Sequence, residues 1–405
     1  MGADPRVSNS MKIESLEYLP GEPPCVSATL KQGTAIAFAP DVQVQVISPD
    51  GGDPIYRCDL SSAFAVAWLP RGEYHLRCHL HDLQIPEGSF RLQMVAVVES
   101  GRVPGITDEH SITFENPGTI SSKGLGPAAW TLESAPGTAP VEKLAWSQGY
   151  ENWFFRHFDH AALVVTDFLL KKHPLLKGRI LDVGCGDGII DLGVFLRTQP
   201  EELVGIDPFG GFKRLPEIVR EHHLPGEVID DPRLQFREED GNSIPYPDDY
   251  FDVVISWGSL EHIAGGYERA LDEIRRVLKN GGLFFVHPGL YFGALGNHLG
   301  EFFEDPFVHL KLPEQELKEA VIAGQPRRMD RAGHIATPEE YWQWYTELNP
   351  IKVSAFERQL RELGFEPWRA AVRTSDVVEY TPELQQYPIQ DLATAELYLS
   401  AWNRK

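Results

Sequence analysis

The chain is poor in cysteine and in basic residues, and it has no long apolar run. Its 405 residues include four cysteines, and 37 basic residues stand against 59 acidic ones, which gives a formal net charge of −22 at pH 7. Four cysteines without metal-site spacing exclude a disulfide framework and favour a reducing compartment. The acidic excess argues against binding of a nucleic-acid backbone or an anionic membrane, because both need clustered Lys and Arg.

Targeting signals are missing as well. The opening stretch MGADPRVSNSMKIE has no apolar core of a secretory signal, and Arg6 stands where a myristoylation signal requires Ser or Thr. No stretch is apolar over the length that a bilayer span requires. The sequence therefore predicts a cytoplasmic protein with no transmembrane segment and no nucleic-acid partner.

Short alternating runs separated by turns fill residues 1–116. In DVQVQVIS, for example, Val42, Val44 and Val46 fall on one face, and the turn sequence SPDGGDP follows. This pattern predicts an all-β sandwich. Residues 117–143 are rich in Gly, Pro and Ser, which predicts a linker.

Strands alternate with helices over residues 144–405. The apolar segments RILDVG, ELVGID, LQFRE, FDVVISW and GLFFVHPG predict five parallel strands covered by helices, and WRAAVRTS and AELYLSAWN predict a closing hairpin. The fold class predicted is an α/β Rossmann-like domain with a mostly parallel seven-stranded sheet. The segment GYERALDEIRRVLKNGG predicts a helix with Leu271, Ile274 and Leu278 on one face and its end at Gly281. Residues 290–345, which are aromatic and contain histidines, predict an inserted cap.

The loop after the first of these strands, ILDVGCGDG, is the expected ligand site, since ligands bind beyond the carboxyl ends of parallel strands. Its spacing is D-x-G-x-G-x-G, and Ile189 stands where a dinucleotide loop has its third glycine. The Gly-Lys-Ser/Thr of a Walker A loop is absent. Asp182 and Asp187 would repel a diphosphate, so they favour a ligand with an ammonium group and no phosphates.

Three further segments follow this loop in order: LVGIDP, EEDGNSIPYPDDYFDVVISWGSLEHI and IRRVLKNGGLFFVHPG. Together they resemble class I S-adenosylmethionine-dependent methyltransferases over about residues 144–288. The resemblance implies S-adenosyl-L-methionine as cofactor, with the loop glycines at its methionine and ribose parts, Asp207 at the ribose hydroxyls and Asp240 at the adenine amino group. The cofactor-binding residues that it implies are Asp182, Gly184, Gly186, Gly188, Asp207, Pro208, Asp240, Gly241, Asn242, Ser256, Tyr150 and Arg156.

Histidines in the cap and after the fourth strand are the candidate catalytic residues. A sugar hydroxyl is a poor nucleophile at neutral pH, so a general base helps methyl transfer to it. We expect His298, in GALGNHLG, to be this base, with His262 in SLEH as its rival and His309 orienting the loop. We predict no metal site, because the spacing of His298, Asp305 and His309 matches no zinc pattern.

The first domain resembles, over about residues 11–116, the carbohydrate-binding domain at the C-terminus of O-antigen ABC transporter ATPases. The resemblance is carried by a PRGEY turn, a turn over 83–90 and a closing Phe-containing strand, with Arg71 and Phe90 departing from the pattern. It implies a glycan or sugar-containing acceptor, and so an enzyme that methylates a sugar hydroxyl of a surface polysaccharide or its precursor. Two alternatives stay open. One is a small-molecule O- or N-methyltransferase that uses the sandwich for assembly, as in a homo-oligomer. The other is a glycan-binding protein with a degenerate methyltransferase domain.

Overall fold

The computed structural model of the chain divides into two compact units. One comprises Met1–Glu151 with Pro216–Asp230, and the other comprises Asn152–Leu215 with Asp231–Lys405. The structure describes the whole chain except residues 1–10, 21–24, 39–40, 53, 55, 61–64, 67, 81–87, 101–102, 117–128, 139–142, 145–152, 223, 225 and 327–335. In the described residues, none of the helices combines the length and the apolar character needed to cross a bilayer.

Antiparallel β-sheets make up the described residues of the first unit's segment 11–144, whereas its second segment, Pro216–Asp230, carries helical residues. Two four-stranded sheets have the orders β1-β2-β6-β9 and β4-β3-β7-β8, and β10 pairs with β5. The strands are β1 (Met11–Leu19), β2 (Cys25–Phe38), β3 (Asp41–Ile47), β4 (Tyr56–Asp59), β5 (Ala65–Val66), β6 (Trp68–His79), β7 (Gly88–Ser100), β8 (Val103–Asn116), β9 (Ala129–Ser134) and β10 (Lys143–Leu144).

Alternation along the strands builds the core of this unit. Val42, Val44 and Val46 are buried, as their period-two spacing predicts. They share one hydrophobic core with side chains of the other four-stranded sheet, including Leu30 and Leu76. Both sheets therefore bury one face against the same core.

Strand β9 lies inside the segment for which composition predicts a linker, residues 117–143. It pairs antiparallel with β6, with Trp130 opposite Cys78. Trp130 and Leu132 are buried in the core of the unit. The structure thus differs from the prediction here, because burial of two alternating apolar side chains outweighs the Gly- and Pro-rich flanks.

The second unit is an α/β structure. Its strands are β11 (Arg179–Val183), β12 (Glu202–Ile206), β13 (Leu234–Arg237), β14 (Phe251–Trp257), β15 (Leu278–His287), β16 (Phe365–Thr374) and β17 (Thr394–Asn403). The helices of the described residues, in chain order, are α1 (Trp153–Phe155), α2 (Ile189–Thr198), α3 (Leu215–Glu221), α4 (Glu268–Val277), α5 (Val308–Lys311), α6 (Glu314–Ala323), α7 (Pro338–Thr346), α8 (Val353–Glu362) and α9 (Ile389–Ala393). Shorter helical turns cover Arg156–Ala161, Val164–Leu169, Pro174–Lys177, Gly211–Arg214, Gly226–Val228, Leu260–His262 and Pro382–Gln386. Of these, residues 216–221 of α3 and the turn Gly226–Val228 belong to the first unit.

One seven-stranded sheet organises this unit, in the order β13-β12-β11-β14-β15-β17-β16. All neighbours are parallel except β17, which runs antiparallel to β15 and β16. The predicted α/β Rossmann-like class is confirmed. In the sheet, β12 lies on one side of β11 and β14 lies on the other, so the strand order reverses at β11. The carboxyl ends of β11 and β14 therefore mark the switch point where ligands bind in open parallel sheets.

Two predicted element boundaries differ from the structure. Helix α4 ends at Val277, and Leu278 begins β15, where it pairs with Phe251. The predicted end at Gly281 is wrong because the chain turns into the sheet as soon as Leu278 finds a strand partner. Strands β16 and β17 do pair antiparallel, but a helical turn and α9 separate them, so they do not form a simple hairpin.

The segment after β15 carries helices of its own. Helix α7 begins with a capping box between Thr337 and Glu340. Described residues of this segment share a small core that includes Leu299, Phe302 and Tyr341. Such a core is what a folded insertion requires.

Candidate active site

The glycine loop joins β11 to α2 and takes a backbone path that only glycine adopts readily. Gly184, Gly186 and Gly188 have φ values of 85°, 56° and 75°. These lie in the left-handed region, where a Cβ is strained. Gly188 is also the N-cap residue of α2. The three glycines are therefore required by the turn itself.

Two of these glycines also face close neighbours. A Cβ at Gly184 would meet the side chain of Ser259 at 2.3 Å, and one at Gly188 would meet the ring of Phe236 at 2.7 Å. The hydroxyl of Ser259 donates a hydrogen bond of 2.9 Å to the carbonyl oxygen of Gly184. Nothing lies within 4 Å of a Cβ at Gly186. The loop is packed on both flanks and open at its centre, which fits a ligand that approaches the backbone.

Asp207 follows β12 and folds back onto the loop. Its carboxylate accepts hydrogen bonds from the backbone N–H of Gly186 at 3.2 Å and of Phe209 at 2.8 Å. Burial raises the pKa of Asp207, while the backbone N–H groups and the charge of His262 offset part of that rise. Pro208 is exposed and has no N–H of its own. Asp207 therefore links the end of β12 to the glycine loop, and its carboxylate interacts electrostatically with His262.

Two carboxyl groups are buried together under the loop. Asp182 and Asp191 are 2% and 0% exposed, and Asp182 Oδ1 and both oxygens of Asp191 receive no hydrogen bond from an N–H or hydroxyl donor of the described residues. Burial raises the pKa of Asp182 well above its usual range, and the charge of Asp191 raises it further. Burial raises the pKa of Asp191 to about 7. Burial therefore favours the protonated form of both carboxyls.

Polar atoms without partners also mark the predicted adenine and methyl-donor positions. Asp240 is exposed, and its carboxylate accepts from the N–H of Asn242 at 2.9 Å. Asn242 Oδ1 and Ser256 Oγ are buried without a hydrogen-bond partner. Gly241 is buried, and a Cβ there would lie 2.9 Å from Val183. Because a buried oxygen without a donor is unfavourable, these atoms fit a site that a polar ligand completes.

The residues predicted to bind the methionine carboxylate are less defined. Tyr150 lies outside the described residues. Arg156 begins the helical turn Arg156–Ala161, where burial lowers the pKa of His160 and the charge of Arg156 acts in the same direction. Their role stays a prediction.

The structure brings His262 and His298 together from separate segments. Their ring centroids lie 4.9 Å apart. One side-chain ligand atom each of Glu261, His262 and His298 lies within 4.8 Å of the other two, and we call these residues the Glu–His–His cluster. His298 has a φ of 56°, which is unusual for a residue with a Cβ.

Asn349 fixes the backbone turn on which this cluster is built. Its N–H donates to the carbonyl oxygen of Glu261 at 2.7 Å, and its side-chain amide donates to those of Leu260 at 2.8 Å and Ile263 at 2.9 Å. Sequence reasoning placed Ser259 beside the methyl donor, within the range 256–260, but missed Asn349, Glu261 and Asp191. The S-L-E-H segment was the only available signal for Glu261, and nothing in the sequence connects Asn349 to that turn.

His309 occupies a different environment from His298. It is 7% exposed, and its Nε2 hydrogen-bonds to the carbonyl oxygen of Tyr291 at 2.8 Å. Burial lowers the pKa of His309 to about 4. Asp305 is engaged by Lys311 at 2.7 Å and by the N–H of Phe307. These contacts favour the predicted orienting role of His309. Asp305 is not among the described residues whose side chains group as potential metal ligands.

Comparison with known proteins agrees with this geometry. Residues 181–286 match the family model described as a methyltransferase domain. This region is a class I methyltransferase domain. The family and the fit of the loop support S-adenosyl-L-methionine as its cofactor.

Individual relatives match less than half of the chain. An uncharacterized methyltransferase of Schizosaccharomyces pombe is 30% identical over 146 residues, which is 35% of this chain and 51% of that protein. A ubiquinone biosynthesis O-methyltransferase of Xylella fastidiosa is 32% identical over 123 residues, which is 30% of this chain and 46% of that protein. The chain thus spans about half the length, or less, of the curated relatives that it matches.

Solved structures are more distant. A methyltransferase from Thermotoga maritima, described as a possible histamine N-methyltransferase, aligns over 64% of this chain and 96% of that one, with 18% identity and a TM-score of 0.35. A likeness of this size carries no argument about the acceptor.

Proposed function

We propose that the protein is an S-adenosylmethionine-dependent O-methyltransferase that methylates a hydroxyl group. The observation that carries the proposal is the hydrogen bond between Ser259 and Gly184, 2.9 Å long. It joins the glycine loop to the turn Leu260–His262, which holds Glu261 and His262. A cofactor site and a group of proton-binding side chains therefore lie next to each other at the carboxyl ends of β11 and β14.

The residues at the loop have the chemistry that the cofactor requires. When bound, S-adenosylmethionine supplies an electrophilic methyl group. The open backbone at Gly186 gives it room, and Asp207 offers a carboxylate to ribose hydroxyls. Asp182 Oδ1, to which no described residue donates, can accept a hydrogen bond from an ammonium group, and Asn242 Oδ1 can accept from an amino group.

The acceptor's proton leaves toward the Glu–His–His cluster. A hydroxyl becomes a competent nucleophile only when this proton is removed as the methyl arrives. His298 is the proposed proton acceptor and His262 its neighbour, since the two rings are 4.9 Å apart. The electrostatic effect of His262 on Asp207 supports a position beside the cofactor's ribose.

A sugar hydroxyl of a surface polysaccharide or its precursor is the proposed acceptor, and the β-sandwich of the first unit is the proposed glycan-binding part. Gln43, Gln45 and Gln93 lie on the outer face of the sheet that contains β3 and β7, opposite the buried valines. Side-chain amides of this kind suit sugar hydroxyls. The described aromatic side chains of this unit are buried or half-buried. Recognition would therefore depend on hydrogen bonds more than on stacking.

A small-molecule hydroxyl is the second candidate acceptor, with the first unit used for assembly. It is favoured by the names of two matching relatives, the ubiquinone biosynthesis O-methyltransferase and a 27-O-demethylrifamycin SV methyltransferase of Amycolatopsis mediterranei, which is 32% identical over 126 residues.

Incubation with methyl-labelled cofactor distinguishes these acceptors. The panel should contain glycans, nucleotide sugars, phenols and amines, with heat-treated protein as the blank. Label on a sugar oxygen supports the first acceptor and label on a phenol oxygen the second. Label found only on amines would contradict O-methylation.

A further inference from the structure

The Glu–His–His cluster combines three donor groups that transition metals bind. Each residue offers one ligand atom, and the three atoms lie within 4.8 Å of one another. Two imidazoles and one carboxylate form the set found in open zinc sites and in sites for related divalent metals. Bonds of about 2.1 Å to a tetrahedral cation would place the ligand atoms roughly 3.4 Å apart, so the three side chains would have to move closer together to bind it.

The carboxylate of Glu261 provides the second observation. Glu261 is 2% exposed, and its Oε2 is buried with no hydrogen-bond partner among the described residues. A buried carboxylate oxygen without a donor is costly, and a cation removes that cost. A carboxylate at the protein surface is hydrated instead and does not carry this cost.

The surroundings keep Glu261 in place. Asn349 donates hydrogen bonds to the backbone carbonyl oxygens of Leu260, Glu261 and Ile263 in the turn. On the other side, a Cβ at Gly289 would lie 2.5 Å from Glu261 Oε1. The carboxylate therefore lies against the backbone of the segment after β15, and only glycine leaves room for it.

We propose that Glu261, His262 and His298 bind one divalent transition-metal ion of the zinc type. The chain's own contribution would be two imidazole nitrogens and a carboxylate oxygen, with further positions open to solvent or acceptor. The binding itself does not depend on which molecule is methylated. Its role rests on the proposed function. With the metal bound, His298 would be a ligand and not the base, and the coordinated acceptor hydroxyl, whose pKa the metal lowers, would release its proton to solvent.

The test is metal titration of the untagged full-length protein after removal of metal. Zn²⁺ is followed by calorimetry and Co²⁺ by its visible absorption, with Mg²⁺ as the comparison ion because it prefers all-oxygen sites. We expect one equivalent of Zn²⁺ or Co²⁺ to bind and Mg²⁺ to bind far more weakly. Glu261→Gln and His298→Gly should each weaken binding more than tenfold. Glycine suits the φ of 56° at residue 298, so this variant should fold.

A positioning variant and two controls make the result specific. Gly289→Ala keeps all three ligands but displaces the Glu261 carboxylate, and it should weaken binding by roughly 10–100-fold, the usual effect of a lost supporting contact. His75→Ala and Glu268→Gln change exposed residues outside the cluster and should leave binding unaltered. Absence of stoichiometric binding, or binding that Glu261→Gln and His298→Gly do not weaken, would overturn the metal site. Metal binding without transfer of labelled methyl to any hydroxyl would support the site and contradict the proposed function.

Discussion

The hydroxyl of Ser259 donates a 2.9 Å hydrogen bond to the carbonyl oxygen of Gly184, and no side chain other than hydrogen fits at residue 184 beside it. This contact connects the loop after β11 with the turn after β14. These are the two strand ends between which the strand order reverses. The cofactor site and the Glu–His–His cluster therefore depend on one close approach of backbone and side chain.

Gly184→Ala should disrupt the cofactor site. The new Cβ would lie 2.3 Å from the Ser259 side chain, so the loop must move. We expect affinity for S-adenosylmethionine, measured by calorimetry, to fall more than tenfold. Gly265→Ala is the matched control, since Gly265 has a similar φ of 80° but nothing within 4 Å of a Cβ. Equal affinities in the two variants would show that the contact does not shape the site.

Asp207→Ala should weaken cofactor binding by roughly 1.5–3 kcal/mol, the scale of a lost charged acceptor. The variant removes both the proposed ribose contact and the acceptor for the N–H groups of Gly186 and Phe209. Asp272→Ala, at an exposed position of α4, should have no effect. Unchanged affinity in Asp207→Ala would remove Asp207 from the cofactor site.

Asp191→Asn should change how stability depends on pH. Because the folded-state pKa of Asp191 is raised from 3.8 to about 7, the folded protein binds more protons than the unfolded chain between these values. Its free energy of unfolding should therefore fall as the pH rises from about 4 to 7, by up to ~1.4 kcal/mol per pH unit. Asp191→Asn should lessen this fall, as urea unfolding at pH 5, 6, 7 and 8 would show, while Asp182, whose pKa burial also raises, keeps part of it. If the wild-type and variant curves stay parallel, the raised pKa of Asp191 is wrong.

His309→Ala should affect stability more than turnover. The imidazole is buried and bonded to the carbonyl of Tyr291, so its loss leaves that oxygen without a donor, at a cost of about 1–3 kcal/mol. Methyl transfer, measured at a temperature where the variant is folded, should stay within a few-fold of wild type. Large loss of turnover with unchanged stability would instead make His309 a participant in proton transfer.

Local patterns predicted the sheet and the cofactor loop because both depend on neighbouring residues. Period-two alternation marks β3, and the glycine spacing after β11 follows directly from the backbone path of that loop. The pairing of β9 with β6 and the contact of Asn349 with the turn at Leu260 are long-range. They depend on which side chains meet after folding, so no local spacing indicates them. The grouping of Glu261 with His298 was missed for the same reason. In the sequence 36 residues lie between them, and other acidic residues and histidines lie nearby.

Calorimetric titration of the full-length protein with S-adenosylmethionine, and in parallel with NAD, tests the central claim most directly. The D-x-G-x-G-x-G loop, the open backbone at Gly186 and the carboxylates of Asp182 and Asp207 predict saturable one-to-one binding of S-adenosylmethionine and none of NAD. Binding of NAD, or the absence of any binding of S-adenosylmethionine to the folded protein, would contradict the account.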